Sequence, residues 1–350
     1  MKKNRIKKNK HSRLLKMSFI LCIILALTGC SVQDADTGGD IDAGLLKVMY
    51  LDVGQGDSIL IESQGEAMLI DAGEADKGDT VVADMKDENI GELKYVIGTH
   101  PHSDHIGGLA QVIQTFKTDE VFLSDAAYNS GEYKNLLKVI QKNTKMIHPL
   151  AGDTYQLGNA SFTFITPLKG DYGDNVNNYS LGIRLVNGKN SFLFTGDLEE
   201  KAEKDLVLSG RNIEADVLKV NHHGSLTSSC TEFLKAVDPT YAVISCGKNN
   251  TYGHPAYATL ASLEEEDIQT YCTDLQGTIV ITSDGRNISV KAKGTITDKA
   301  ADKDGGLVYV TEKGNKYHRK GCKYLKGSDR SVSLKKAKEE GYEPCRVCKP

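Results

Sequence analysis

The chain has 350 residues, 26% of them charged and 39% hydrophobic, a composition typical of a globular protein with one large domain and smaller additions. Residues 30–311 hold 23 basic and 42 acidic residues, whereas residues 312–350 hold 12 basic and five acidic ones. The acidic body argues against electrostatic capture of a nucleic-acid duplex over the whole surface, and only the basic tail is expected to attract polyanions.

The N-terminus has the pattern of an export signal. Residues 1–16 hold eight Lys or Arg and no acid, residues 17–27 form a short apolar run, and Leu27-Thr28-Gly29-Cys30 resembles a bacterial lipobox. We expect a lipoprotein signal peptide over 1–29, cleavage before Cys30 with lipid attachment to it, and a flexible tether over 30–44. This lipid anchor would place the protein on the outer face of the cytoplasmic membrane. The alternative, an uncleaved N-terminal anchor, puts it on the same side.

Residues 45–293 alternate between predicted strands and helices, which indicates one layered α/β domain. The predicted strands are LLKVMYLDV, DSILIES, AMLIDAG, KYVIGTH, ADVLKV, YAVISC and GTIVITSDG, together with the hairpin NYSLGIRLVNGKNSFLFTGD and its Asn-Gly turn. The predicted helices are VVADMKDENI, HIGGLAQVIQTF, EEKAEKDLVL and PAYATLASLEEE. Residues 294–306 have the composition of a linker, and 307–350 form a separate small module.

The stretch GTHPHSDHIGGL follows a predicted strand and places four ligand-type side chains within six residues. These are His100, His102, Asp104 and His105. Imidazole and carboxylate suit zinc, and also manganese or iron where carboxylates contribute more. His100 and His102 can converge on one ion from such a loop, while Asp104 and His105 turn toward a second. A hydrogen-bonded surface loop without metal is the alternative.

Further ligands are expected at the ends of other predicted strands. Asp197 follows a strand directly after glycine, a position that suits a carboxylate bridge between two metal ions. His222 and His223 follow the strand ADVLKV, and His254 lies in the loop after YAVISC. His148 precedes a proline at the end of a short apolar run and is interpreted as structural.

The order of these motifs resembles that of a metallo-β-lactamase-fold hydrolase, and within that superfamily the extracellular domain of ComEC-type DNA-uptake proteins. The stretches that carry the resemblance are LDVGQGDS at 51–58, IDAG at 70–73, GTHPHSDHIGGL at 98–109, NYSL at 178–181, FTGD at 194–197, DVLKVNHHGS at 216–225, SCG at 245–247 and GHP at 253–255. The resemblance implies a four-layer αββα sandwich with the metals at one edge of the two packed sheets.

The resemblance also implies a ligand set for two divalent ions, Zn²⁺ or Mn²⁺. His100 and His102 would bind the first ion, Asp104 and His105 the second, and Asp197 both. His254 would be a further ligand, and so would one of His222 and His223. Many members of the superfamily have another ligand histidine where this chain has Asn178 to Leu181, so a site with one metal stays open.

Several polar residues are candidates for supporting or substrate-binding roles. Asp52 and Asp57 either orient ligand histidines or lie in a solvated turn. Asp71 is expected to hold the loop that carries His100 to His105 in place. Asn178, Ser180 and Ser225 are candidates to hydrogen-bond the substrate. Asp104 and Asp197 are the predicted catalytic residues, with Asp104 accepting a proton from the attacking water that the metals would activate.

The tail module contains one H-x3-C pair and one C-x2-C pair. His318, Cys322, Cys345 and Cys348 match a closed tetrahedral zinc site. A bound metal ion would stabilise a module of this size, whose hydrophobic core is too small to do so alone. The spacing resembles that of the zinc-binding domain of Ada-type DNA-repair proteins. A disulfide between two of the cysteines is the alternative, and the tail's net charge of +7 favours contact with phosphates or serves only as a solvated face.

The leading functional hypothesis is a membrane-tethered phosphodiesterase or nuclease acting on extracellular DNA, in uptake or scavenging. A short or single-stranded substrate suits the acidic body. The alternatives are hydrolysis of a lactam, lactone or thioester, and a non-catalytic surface adaptor that binds nucleic acid. DNA-uptake machinery is a candidate partner, and no feature of the sequence predicts an obligate protein partner.

Overall fold

The structure is a computed structural model that describes residues 44–292, 307–311, 314–318, 322–325 and 329–348. The predicted signal peptide, Cys30, nearly all of the predicted tether and the predicted linker lie outside the described residues. None of the helices in the described ranges is long and apolar enough to cross a bilayer.

The larger part of the described chain contains fifteen strands and eight α-helices over residues 44–292. The strands are β1 Leu46–Tyr50, β2 Ile59–Ser63, β3 Glu66–Ile70, β4 Glu92–Gly98, β5 Lys117–Leu123, β6 Lys145–Ile147, β7 Thr154–Leu157, β8 Ala160–Thr166, β9 Gly182–Asn187, β10 Asn190–Phe194, β11 Val217–Lys219, β12 Tyr241–Ile244, β13 Gln269–Cys272, β14 Ile279–Ser283 and β15 Ile288–Lys291. The helices are α1 Gly78–Asp87, α2 Ser103–Ile106, α3 Leu109–Thr115, α4 Gly131–Asn143, α5 Glu200–Leu208, α6 Thr231–Val237, α7 Tyr257–Glu265 and α8 Thr273–Gln276.

These strands form two mixed sheets that pack face to face. One has eight strands in the order β15-β14-β1-β2-β3-β4-β5-β6, and the other has seven in the order β13-β12-β11-β10-β9-β8-β7. Aromatic side chains from both sheets fill the layer between them: the Phe122 ring of β5 lies 5.1 Å from that of Phe164 in β8, centroid to centroid. Helices α1, α3 and α4 cover the outer face of the first sheet, and α5, α6 and α7 cover the second. The fold is therefore the expected four-layer αββα sandwich.

The alternation of side chains along β1 illustrates how sequence produces these layers. Leu46, Val48 and Tyr50 point into the core between the sheets, whereas Met49 and the following Leu51 point to the helices on the other face. Successive strand residues face opposite sides of a sheet, so a strand covered on both faces is largely apolar, and Lys47 is the one charged residue of β1.

Most predicted elements are present, with two differences. The hairpin is confirmed as β9 and β10, with Asn187 opposite Asn190. The single helix predicted for HIGGLAQVIQTF is instead two, α2 and α3, because Gly107 and Gly108 lie between them. The strands β5 to β8, β13 and β15 and the helices α4, α6 and α8 were not predicted. In β6 and α4 most residues are not buried, so no continuous apolar run marks them.

The tail module has its own small sheet. Its elements are β16 Leu307–Thr311, β17 Lys316–His318, β18 Asp329–Ser333, α9 Leu334–Glu339 and β19 Glu343–Pro344. The strand order is β18-β16-β17-β19, and Val310, Tyr317 and Leu334 are among the few residues of its core.

Candidate metal centre

The predicted ligands lie at the carboxyl ends of strands from both sheets. β3 and β4 are parallel, as are β10, β11 and β12, so the loops that follow these strands leave each sheet at one edge. The side chains brought together there are His100, His102, Asp104 and His105 after β4, Asp197 after β10, His222 and His223 after β11, and His254 after β12.

His105 is fully buried and is engaged through both ring nitrogens. Its Nδ1–H donates to Asp71 Oδ2 at 2.8 Å, and its Nε2 lies 3.2 Å from Asp197 Oδ2. Asp71 is fixed in turn by Thr99, whose backbone N–H and hydroxyl donate to the two carboxylate oxygens at 2.8 and 2.7 Å. Because Nδ1–H is directed at Asp71, Nε2 is the ring nitrogen that faces Asp197 and would bind a cation once it is deprotonated.

His223 approaches Asp197 from the other side in the same way. Its Nδ1–H donates to Ser245 O at 3.0 Å, and its Nε2 lies 3.2 Å from the Nε2 of His105 and 3.5 Å from Asp197 Oδ2. Both His222 and His223 have left-handed backbone conformations, with φ of 49° and 55°. Such conformations cost about 1–3 kcal/mol each in a non-glycine residue and are typical of functional sites.

His100 and His102 form the third side of the cluster. His100 is fully buried, with its Nε2 3.0 Å from His102 Nδ1 and 3.8 Å from Asp197 Oδ2. His102 is half-buried, and its ring lies 5.6 Å from that of Tyr128. Asp197 is thus the carboxylate on which imidazoles of two separate loops converge, those after β4 and after β11.

The electrostatics of this cluster favour positive charge around Asp197. Burial lowers the pKa of His105 and His223, but the Asp197 carboxylate and its acidic neighbours outweigh that effect and raise both well above the ordinary value. Burial raises the pKa of Asp197, yet His105, His223 and His222 hold it well below the usual range. Burial and the adjacent His105 lower the pKa of His100.

The arrangement fits divalent cations. Within the described residues, Asp197 Oδ1 is buried and has no hydrogen-bond partner, while the Nε2 atoms of His105 and His223 lie 3.2 Å apart. One ligand atom from each of Asp57, His105, Asp197 and His223 lies within 4.8 Å of the others. A cation between these donors would satisfy the carboxylate oxygen and take the place of the Nε2 protons that the raised pKa values of His105 and His223 favour in its absence. Imidazole with carboxylate is a donor set of zinc and manganese.

This fold and this site agree with a family match. Residues 51–248, more than half of the chain, match the metallo-beta-lactamase superfamily. The chain belongs to this superfamily. Divalent metal use is therefore expected of the cluster around Asp197.

Curated relatives of this metallo-β-lactamase chain include proteins of bacterial competence. It is 29% identical to ComE operon protein 3 of Bacillus subtilis, over 78% of this chain and 37% of that protein. It is 31% identical to competence protein ComA of Neisseria gonorrhoeae, over 66% of this chain and 31% of that protein. It is 29% identical to recombination protein 2 of Haemophilus influenzae, over 73% of this chain and 30% of that protein. The chain thus spans about a third of the length of these relatives.

Asp57 lies directly behind the cluster and is paired with a buried lysine. Lys219 Nζ is 2.9 Å from Asp57 Oδ2 and donates to Val220 O at 2.9 Å. Burial raises the pKa of Asp57, but Lys219 and His223 outweigh it and hold the pKa at about 2. Gly56 permits the contact between loops, because a Cβ there would lie 2.2 Å from Asp104 O.

The two aspartates of the first turn have different surroundings. Asp57 Oδ1 lies 3.3 Å from His223 Nδ1, so its carboxylate reaches a predicted ligand. Asp52 is exposed, and its carboxylate accepts from Gly54 N at 3.2 Å within the turn. The solvated-turn interpretation therefore describes Asp52, and the orienting interpretation describes Asp57.

The residues that were predicted to bind substrate instead hydrogen-bond to the loops around Asp197. Asn178 Oδ1 accepts from Glu199 N at 2.9 Å, and the buried Ser180 hydroxyl donates to Asn177 O at 2.7 Å while it accepts from Asp197 N at 3.2 Å. Ser225 is buried, with its hydroxyl 3.0 Å from that of Thr227. Since burial and these bonds occupy the side chains, they fix the loops around Asp197 and are poorly placed for substrate.

Glu199 belongs to the site although it was not predicted. Its Oε1 lies 3.3 Å from His222 Nδ1, and it also accepts from Asn175 Nδ2 at 2.8 Å. The bond from His222 is the main reason why the pKa of Glu199 is lowered to about 2. Its position two residues after Asp197 is the only sequence signal that could have indicated it.

An open cavity of about 300 Å³ gives access to the cluster. His102, Asp104, Asp197, His222, His223 and His254 line its floor, and Gln55, Glu74, Ser103, Tyr128 and Tyr252 line its walls. The rings of Tyr252 and His254 stack at 5.7 Å, and Tyr252 is 68% exposed. The predicted structural residue His148 lies elsewhere, where its Nδ1–H donates to Leu123 O at 2.9 Å.

The tail module contains a second cluster of ligand-type residues. One atom from each of His318, Cys322, Cys345 and Cys348 lies within 4.8 Å of the others, and His318 Nδ1 is 3.3 Å from Cys322 Sγ. Burial raises the pKa of Cys345, but the backbone N–H groups of Cys348 and Val347 outweigh it and lower the pKa. The donor set and spacing are compatible with a small tetrahedral zinc site.

Proposed function

We propose that this chain is a metal-dependent phosphodiesterase that cleaves DNA, in a competence or scavenging role. The observation that carries the proposal is the convergence of His100, His105, His222 and His223 on Asp197 at the floor of an open cavity. The names of the competence-protein relatives support DNA as the substrate. Two divalent ions, when bound, supply a Lewis acid for the substrate oxygen and lower the pKa of a coordinated water.

The protein's own residues position the reaction in this proposal. Asp197 and the buried histidines hold their donor atoms in place without substrate, because Asp71, Ser245 and Glu199 fix the far side of the rings. Asp104 is partly exposed at the cavity floor, with Oδ2 3.2 Å from His223 Nε2, and can accept the proton of the attacking water. Tyr128 and Tyr252 at the cavity wall offer rings on which a base can stack.

We further propose that the protein is a lipoprotein attached through Cys30, so that its site faces DNA outside the cytoplasmic membrane. The basic N-terminal run and the lipobox-like Leu27 to Cys30 support this location. The cluster of His318, Cys322, Cys345 and Cys348 supports a structural zinc ion in the tail module.

The test is a substrate panel on the purified chain without its signal peptide. The substrates are a single-stranded oligodeoxynucleotide, a chromogenic phosphodiester and nitrocefin, each with and without a chelator. We expect chelator-sensitive cleavage of the first two, and loss of turnover in His102→Ala and Asp197→Ala with retained folding by circular dichroism.

His148→Ala is the matched control, because this histidine is exposed and lies outside the cavity. It should keep wild-type turnover. Retained metal-dependent turnover in both the His102 and Asp197 variants would rule out the assigned centre. Faster turnover of nitrocefin than of the phosphodiester would replace the proposed substrate with a lactam.

A further inference from the structure

A groove of about 250 Å³ lies between the metallo-β-lactamase domain and the tail module. Leu226, Ala256 and Tyr257 line it from the domain, and Tyr317, Lys338 and Arg346 line it from the module. Tyr257 packs against the module's hydrophobic core, and the Lys338 ammonium lies 5.4 Å from the centre of its ring. The groove is therefore formed by contacts between two parts of the chain.

The wall of the groove is continuous with the loops of the metal centre. Leu226 follows the loop of His222 and His223 within a few residues, and Ala256 is two residues after His254. The backbone N–H of Ala256 donates to Gly224 O at 2.8 Å, which ties the two loops together. The groove and the cavity that contains Asp197 are therefore lined by residues of the same two stretches of chain.

The lining combines apolar surface with positive charge. Leu226 is 49% exposed, and the half-buried Tyr257 ring is close to it in the same wall. Lys338 and Arg346 are exposed, and among the described residues no carboxylate forms an ion pair with either. An apolar wall beside unpaired cations matches a flexible polyanion that carries planar apolar groups.

The dimensions and charges discriminate between the forms of such a polyanion. A groove of about 250 Å³ is of the size of one unpaired base with its phosphate and is too small for a duplex. The body outside the tail carries a net charge of −19, so it repels the wide phosphate surface of a duplex more than a single strand held at the basic tail.

We propose that this groove binds single-stranded nucleic acid and leads the strand into the metal centre. Leu226 and Tyr257 contact the bases, and Lys338 and Arg346 neutralise phosphates. The direction of the strand rests on the proposed phosphodiesterase function, whereas binding in the groove does not.

The test measures binding of a fluorescent 12-residue oligothymidylate to the chain carrying His102→Ala, which prevents cleavage. The variant is Lys338→Gln/Arg346→Gln, and the control is Lys117→Gln/Lys145→Gln, which removes the same charge from exposed positions on β5 and β6. We expect the groove variant to bind about tenfold more weakly at low salt, with a salt slope smaller by about 1.4, since each single-strand phosphate contact contributes about 0.7. The control should bind like the parent.

Leu226→Ser provides a second measurement, because an exposed leucine can be replaced without loss of the core. It should weaken binding while the salt slope stays constant. Equal affinities for the groove variant and its control would overturn the proposal. The proposal would also be overturned if the groove variant kept its affinity for the oligonucleotide and lost binding only to phosphatidylglycerol vesicles. The groove would then be a lipid-headgroup site.

The outcomes also separate this proposal from the proposed function. If the wild-type chain fails to hydrolyse the chromogenic phosphodiester but binds the oligonucleotide through Lys338 and Arg346, the phosphodiesterase assignment fails and the groove stands. If hydrolysis of the small substrate is normal but the groove variant binds the oligonucleotide normally, the groove assignment fails alone.

Discussion

At the scale of single residues, the geometry of His105 depends on a carboxylate that does not face the cavity. Asp71 is fully buried, has a left-handed φ of 57°, and accepts from Thr99 and from His105 Nδ1. Its role is to fix which nitrogen of the ring carries the proton, so that Nε2 stays a donor of its lone pair.

Asp71→Asn tests this role. The amide can present its own N–H to His105 Nδ1, which favours the wrong tautomer, so we expect metal affinity to fall about 10–100-fold. Competition with a chromogenic chelator measures the affinity, and thermal unfolding of the metal-free protein shows whether the fold persists. Asp76→Asn is the control, because Asp76 is exposed in the short 3₁₀ helix Ala75–Lys77 that follows Asp71 in the chain. Unchanged affinity in Asp71→Asn would show that the carboxylate only supports the loop.

Sequence patterns identified the residues of this cluster better than they identified their partners. Four ligand-type residues within six positions form a local signal, and the histidines after later strands can be found by their type. Lys219 and Glu199 were missed because a lysine in an apolar run and a glutamate before a helix are common without function. Their roles arise only from contacts with Asp57 and His222, which are distant in the chain.

At the scale of elements, β11 combines an apolar strand with a buried charge. Val217 and Leu218 pack in the core, while the Lys219 side chain is 1% exposed and pairs with Asp57 from the loop after β1. The ion pair thus joins a strand of one sheet to a loop of the other. The folded protein depends on such a buried pair mainly because removal of one partner leaves the other charge buried and uncompensated.

Lys219→Met is therefore expected to reduce the free energy of unfolding by about 3–5 kcal/mol, because Asp57 would keep a buried negative charge without its partner. The double variant Lys219→Met/Asp57→Asn removes both charges and should recover part of the loss. Urea unfolding of the metal-free chains measures both, with Lys235→Met on the exposed face of α6 as control. Equal destabilisation of the single and double variants would contradict the pairing argument.

Strands could be recognised in the sequence where both of their faces are buried, and not where one face is exposed. Strands buried on both faces, such as β1 and β10, were recognisable as apolar runs, and the Asn-Gly pair located β9, the hairpin partner of β10. β5 begins with exposed and charged residues, and β6 is exposed along most of its length, so neither has a clear period. Their place in the sheet is set by the pairing of β5 with β4 and of β6 with β5, which no local pattern reveals.

At the scale of the whole molecule, the site exists only because two sheets meet at one edge. Asp71 and the first histidines come from the first sheet, whereas Asp197, His222, His223 and His254 come from the second. Neither half contains a complete set of donors. The sequence resemblance implied this gathering, but distances, tautomers and the position of the groove follow from the packing of the sheets and the tail module.

The tail module should depend on zinc for its fold more than the rest of the chain does. Its core consists of Val308, Val310, Tyr317, Val332, Leu334 and Ala337, which is too small to stabilise an independent unit, whereas structural zinc contributes about 10–16 kcal/mol in zinc-finger peptides. Cys345→Ser should therefore make the module sensitive to trypsin, with the domain over 44–292 intact by mass spectrometry and turnover of the chromogenic phosphodiester unchanged.

Chelation of the wild-type chain should expose the same tryptic sites and also remove turnover, since a chelator would empty both proposed metal sites. Cys230→Ser is the control, because Cys230 is half-buried and outside both ligand clusters. Wild-type resistance of the module in Cys345→Ser would mean that contacts such as Tyr257 with the module's core hold it in place without metal. A loss of oligonucleotide binding in Cys345→Ser, with small-substrate turnover retained, would connect the tail zinc to substrate capture and leave the chemistry to the cluster around Asp197.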